Sequence, residues 1–221
     1  MTSSLFEPAR QALHDHLFSR DLPLPTIRYR YEHCLRVAAI GRRVAEAEGL
    51  DADILELACL LHDIGKFDAT VPVDHGRAGA QLARPILEGL GLDSDRVNEI
   101  CQGIAMHTDG KWNYDQDSPD HPGHDLFENE PTVLARSVGD CDNADRYSLL
   151  RIHGTMNWVK FSEKTAAEGL EWIGEYLAHL DREREYTCAT RTAQELWEGA
   201  LDDHTTYFTR LAVQLRPAAI D

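Results

Sequence analysis

Apolar residues recur along this chain at helical spacing, and the strict alternation of a half-buried strand is almost absent. From Tyr29 to Glu48 a stripe runs through His33, Val37, Ile40 and Val44, predicting a helix that Gly49 would stop. Asp51 is a suitable N-cap for the next helix, in which Ile54, Leu55, Leu57, Ala58, Cys59, Leu60 and Leu61 are apolar nearly all round. A helix with no polar face belongs in the centre of a fold, and this one is expected to end at Gly65. Residues 6–18 predict a short helix, and His75–Leu90 and Asp93–His107 predict two more. Helix is expected again from about Thr132 to Leu150. Two amphipathic helices within 160–216 finish the chain. One carries Leu170, Ile173, Leu177 and Leu180, the other Leu196, Ala200, Phe208, Leu211 and Leu215. Between the helix ending at His107 and the one beginning near Thr132, residues 108–131 lose all periodicity and are rich in Gly, Pro, Asp and His. A loop of that length in a compact domain is either functional or disordered. The expected class is all-α.

With 221 residues the chain fits one domain, 1–221, with room for a sizeable core. The formal net charge of −16 disfavours nonspecific binding to nucleic acid or to an anionic membrane. An anionic substrate would need local compensation, for which bound divalent cations are the obvious source. The five cysteines (Cys34, Cys59, Cys101, Cys141 and Cys188) are odd in number, scattered, and form no CxxC pair. They read as reduced core thiols of a cytoplasmic protein. No apolar stretch is long enough to span a bilayer, and the N-terminus lacks the apolar run of a signal peptide.

Leu61-His62-Asp63-Ile64-Gly65-Lys66 places a histidine and a carboxylate side by side at the end of the most apolar segment. A buried ionised carboxylate is costly unless it is paired or bound to metal. Other metal-capable residues stand at or near the ends of predicted core segments: His33, His107, and an acid in Val138-Gly139-Asp140-Cys141-Asp142-Asn143-Ala144-Asp145-Arg146. His75 opens a further helix. Imidazole and carboxylate donors without thiolates suit Mn, Fe, Co, Ni or Zn.

The order H…HD…D, with His33, His62, Asp63 and Asp142 in those places, resembles the HD-domain superfamily of metal-dependent phosphohydrolases. His33-Cys34-Leu35-Arg36-Val37 looks like that family's first-histidine helix, and the likeness covers about residues 29–150. It implies an HD-domain helical bundle with additional C-terminal helices. It makes His33, His62, Asp63 and Asp142 ligands of one divalent ion, with Asp145 behind them. His75 and His107 would complete a two-ion version in which Asp63 bridges. Thr108 stands where some two-metal members carry a second histidine, so one or two ions remain open.

The expected activity is hydrolysis of a phosphate ester or phosphoanhydride of a nucleotide or similar small metabolite. Asp63 and Lys66 would serve the chemistry, and Lys66 and Arg146 would contact substrate phosphate. Arg36 and Lys111 are weaker anion contacts, and Trp112 and Tyr114 are available to stack on a base. His121 and His124 read as loop residues, and His14, His16, His153, His179 and His204 as ordinary surface or core histidines. Two alternatives use the same residues. One is an HD-type di-iron oxygenase, which the six-ligand set would also suit; the other is a degenerate nucleotide- or partner-binding regulatory module.

Overall fold

The computed structural model describes residues 5–71, 74–109 and 126–219; the loop aromatics Trp112 and Tyr114, with Lys111, His121 and His124, lie outside them. Among the described residues every regular element is a helix. The chain divides into two compact units, 1–145 with 188–193, and 146–187 with 194–221.

The first unit contains α1 (Phe6–Phe18), α2 (Leu24–Glu48), α3 (Ala52–Leu61), α4 (His75–Gly89), α5 (Ser94–Met106) and α6 (Val133–Arg146, to Asp145). Helix α2 begins five residues before the apolar stripe does, because Pro23 sits at its N-cap and leads the chain into it. It ends as expected at Gly49, whose φ of 69° is the left-handed conformation that glycine adopts without strain. Asp51 then caps α3 by accepting from the Ile54 amide, and Asp93 caps α5 by accepting from Arg96. Every residue of α3 from Ile54 to Leu61 is buried, Glu56 included. Its carboxylate meets Arg42 of α2 at 2.6 Å, which meets the requirement that a buried charge be paired. Helix α3 packs on α1, α2 and α5, and α4 packs on α5.

The α-helix stops at Leu61, four residues short of Gly65. Beyond it the backbone tightens into successive i→i+3 bonds, Ile64 to Leu61, Lys66 to Asp63 and Asp68 to Gly65. That turn lies against the start of α4 so closely that a Cβ on Gly65 would come within 2.3 Å of the Gly79 amide nitrogen. This glycine–glycine contact sets the first turn of α4 beside Asp63.

The second unit holds α7 (Leu149–Trp158), α8 (Ala166–Glu183) and most of α9 (Arg191–Leu215). The helix expected over 132–150 is two helices, because Ser148 takes an extended conformation (φ −64°, ψ 157°) and restarts the chain as α7. Thr165 and Glu168 form a reciprocal capping box at the start of α8. Ile152, Ile173, Phe208 and Ala212 form the core, with Trp172, Tyr176 and Leu177 packed on it. In the first half of α9 the buried face is one position away from the expected stripe: Trp197 and Leu201 are inside, whereas Leu196 and Ala200 are only half-buried. The five cysteines are free and buried. No described helix is long and apolar enough to cross a membrane.

Gly65→Ala should destabilise the first unit by about 1–3 kcal/mol, because the clash is with backbone that cannot swing away. Gly89→Ala has open space around its Cβ and should stay within about 0.5 kcal/mol of the parent. Urea denaturation of the two variants checks this; equal midpoints would contradict the close approach.

Candidate metal centre

Five of the six elements of the first unit contribute to one cluster. His33 comes from the middle of α2, His62 from the C-cap of α3, Asp63 from the following turn, His75 from the start of α4, His107 from the C-cap of α5 and Asp142 from α6. The structure therefore brings together all six residues expected to ligate metal.

His62 and His107 reach the cluster by the same local device. A helix end leaves carbonyls without an intrahelical partner, and an imidazole at the C-cap can fold back on them. His62 Nδ1 lies 2.7 Å from the Cys59 carbonyl, and His107 Nδ1 lies 2.6 Å from the Ile104 carbonyl. A carbonyl only accepts, so each Nδ1 donates and each Nε2 is left to face the cluster. His33 is held the same way by a carboxylate: its Nδ1 lies 2.7 Å from Asp145 Oδ2. Arg36 grips that same carboxylate with two donors, at 2.8 and 3.0 Å. Arg36 is thus engaged with Asp145 and is not spare for an anion.

The Nε2 atoms all face inward. Those of His33 and His62 are 3.1 Å apart, as are those of His75 and His107. Asp142 Oδ1 is 3.0 Å from His33 Nε2 and 3.6 Å from His62 Nε2. Asp63 lies between the two histidine pairs. Its Oδ2 is 3.5 Å from both His33 and His62, and its Oδ1 is 2.9 Å from His75 and 3.7 Å from His107. Arg30, one turn before His33 on α2, donates to Oδ2. Lys66 Nζ stands 3.3–3.4 Å from the ring nitrogens of His75. Arg146 is exposed and begins the second unit.

Of the three acids in the α6 motif, only Asp142 faces the inward imidazole nitrogens. Asp145 faces the outer nitrogen of His33, and Asp140 accepts from the Ala189 amide at 2.8 Å, tying α6 to the segment before α9.

The charges are arranged for a cation. Burial opposes ionisation of Asp63, yet the Arg30 and His62 charges overcome it and hold its carboxyl well below the usual range. Asp142 is likewise held low against burial by hydrogen bonds from His33 and His62. Burial alone would strip His33 of its proton, but hydrogen bonds to Asp142, Asp145 and Asp63 outweigh it and raise its pKa to about 10. His107 moves down, mainly through burial.

Two features test whether the residues fit a metal. Asp63 Oδ1 is buried with His75 Nε2 at 2.9 Å but no donor in hydrogen-bonding geometry, and the Nε2 atoms of paired imidazoles face one another at 3.1 Å. Both are costly without a proton or a cation between the groups. Two sets of donors, His33–His62–Asp142 and His62–Asp63–His107, have ligand atoms within 4.8 Å of one another. The residues fit a divalent ion. The metal-ligand motifs do not mark Arg30, which donates to Asp63, although it stands three positions before His33 and so on the same helix face.

A fold of helices built around this histidine–aspartate cluster defines a class. The HD domain family model matches residues 30–147, more than half of the chain, and the chain belongs to that family. It is 33% identical over 95 residues to the bifunctional uridylyltransferase/uridylyl-removing enzyme of Mycobacterium tuberculosis. It is 35% identical over 88 residues to a deoxyguanosinetriphosphate triphosphohydrolase-like protein of Bifidobacterium longum. These matches cover 40% and 38% of this chain but only 11% and 18% of the relatives' own lengths. A crystal structure described as a predicted HD superfamily hydrolase, from an uncultured Thermotogales bacterium, shares the fold with a TM-score of 0.58. The identity is 19%, and the match covers 95% of this chain and 90% of that one.

Binding of a divalent ion at His33 must displace its proton, so acid should weaken it. Between about pH 6 and 9 the apparent affinity should rise at least roughly tenfold per pH unit, since His33 holds its proton up to about 10. Manganese titrations across that range, followed calorimetrically, check the slope; a flat profile would contradict proton displacement.

Proposed function

We propose that this protein is a metal-dependent phosphohydrolase acting on a phosphate ester or phosphoanhydride of a nucleotide or similar small metabolite. The observation that carries the reading is the convergence of inward Nε2 atoms on Asp63 and Asp142, with three of the rings tied back through Nδ1. Rings fixed from behind present their lone pairs with little reorganisation, and this is what a metal site needs from its supporting shell. The names of the partial relatives, a uridylyl-removing enzyme and a deoxyguanosinetriphosphate triphosphohydrolase-like protein, support a phosphorylated nucleotide as substrate class.

In this reading His33, His62, Asp63 and Asp142 hold one ion, and His75 and His107 with Asp63 hold a second. A divalent ion there would polarise a phosphoryl oxygen and make bound water acidic enough to supply hydroxide near neutral pH. The protein's own residues do the rest. Asp145 keeps the Nδ1 proton on His33 and so fixes which nitrogen faces the substrate. Asp63 presents an oxygen to each histidine pair and sets their separation. Lys66, half-buried beside His75, offers an ammonium to charge developing on the phosphoryl group, as its three donors allow. The net charge of −16 repels an anionic substrate from most of the surface, so attraction has to come from this cluster.

Asp63→Ala is expected to remove bound metal and nearly all hydrolysis while helical content persists. Metal analysis, circular dichroism and a screen of phosphorylated metabolites with the parent and the variant test this together. A folded Asp63→Ala protein with full metal content and full activity would end the proposal. A parent that requires iron and dioxygen and cleaves no phosphate bond would move it to the oxygenase reading.

Lys66→Ala should keep its metal and lose about ten- to a hundredfold in kcat/KM toward the phosphorylated substrate, the scale of one charge-assisted hydrogen bond. Steady-state kinetics on the metal-replete variant decide it. Unchanged kinetics would place the anion contact elsewhere.

A further inference from the structure

In the second unit a groove of about 390 Å³ runs along α9, bordered by Leu149 from the start of α7. At 3.6 residues per turn, Asp203, Tyr207, Arg210 and Gln214 fall on one strip of α9 and line it. Leu149 is 62% exposed and Tyr207 41%, so two large apolar side chains stand in water beside the half-buried Leu211. Apolar side chains grouped inside a polar rim mark an interaction surface, whereas single scattered ones do not.

The charges on the strip identify what covers it. Neighbouring acids of α9 are already engaged: Asp202 pairs with Arg184 at 2.7 Å, and Glu198 accepts from Gln194 at 2.9 Å. Among the described residues Asp203 and Arg210 have no ion-pair or hydrogen-bond partner, and about 10 Å of helix keeps them apart. An acid and a base so spaced are complementary to their own copy. With a second α9 antiparallel across a twofold axis between Thr206 and Tyr207, Asp203 of each copy meets Arg210 of the other. The same axis brings the two Tyr207 rings together and sets Gln214 opposite Gly199, where nothing stands within 4 Å of the place a Cβ would take. The groove lining carries one charge of each sign in a chain of net charge −16, so two copies meet there without the repulsion that the rest of the surface imposes. We infer that this protein forms a twofold homodimer through α9, with Leu149, Tyr207 and Leu211 at its apolar centre and two reciprocal Asp203–Arg210 ion pairs.

Analytical ultracentrifugation of the full chain tests this, with circular dichroism to confirm that each variant is folded. Both charged positions are exposed, so reversing either leaves the core untouched. The parent should dimerise. Asp203→Arg and Arg210→Asp each set like charges opposite one another twice and should weaken the dimer by at least about tenfold. Mixed in equal amounts, the two variants should form a heterodimer of near-parental affinity, because every facing pair is again opposite in sign. A parent that stays monomeric at about 100 µM, well above the micromolar limit of standard-size interfaces, would overturn the inference and leave this face to a different partner. A dimer unmoved by either reversal would overturn it by placing the contact elsewhere. Two folded variants that are monomeric alone and remain so when mixed would overturn it as well, because the reciprocal pairing would then be absent.

Discussion

Asp63 is a carboxylate almost wholly removed from water, with one oxygen toward Arg30, His33 and His62 and the other toward His75 and His107. An isolated ionised carboxylate in such a place would cost several kcal/mol or more, and the usual escape is to take up a proton. Here the surrounding positive charge and imidazoles keep it ionised. The rest of the first unit is arranged around that charge. Helices α3 and α5 end at it, α4 starts at it, and α2 and α6 pass it with His33 and Asp142. A buried carboxylate ringed by imidazole nitrogens is a poor apolar core and a good cation host.

The supporting geometry follows from helix ends. His62 and His107 each spend their Nδ1 proton on a carbonyl three residues back, which satisfies the helix terminus and fixes the ring in one step. Asp145 performs the equivalent service for His33, with Arg36 neutralising its charge. Close approach of the Gly65 turn to Gly79 then brings the opening residue of α4, His75, within reach of Asp63. Stability and site geometry are therefore coupled. A side chain at Gly65 would push apart the same two segments that carry Asp63 and His75.

Most of the fold could be read from the sequence because apolar periodicity reports helices directly, and Asp51, Asp93 and Gly49 mark their ends by capping chemistry. The end of α3 was less legible: Gly65 looked like the stop, but the chain leaves the α-helix at Leu61 to form the turn that carries Asp63. The break at Ser148 was hidden because the residues around it are compatible with continuous helix and only the extended backbone there shows the restart. In α9 Leu196 and Trp197 are both apolar, so the sequence pattern does not distinguish the two stripes and packing alone turns Trp197 inward. At the site, histidines and acids declare themselves by type and spacing. Arginines do not: Arg30 and Arg36 look alike in sequence, and only the structure distinguishes a fork closed on Asp145 from one with a donor to spare.

Whether Asp63 and its imidazoles hold a metal is decided by anomalous X-ray diffraction from crystals equilibrated with manganese. A peak is expected at coordinating distance, about 2.0–2.3 Å, from His33 Nε2, His62 Nε2 and carboxylate oxygens of Asp63 and Asp142. A well-ordered cluster at saturating manganese with no anomalous peak among those atoms would contradict it.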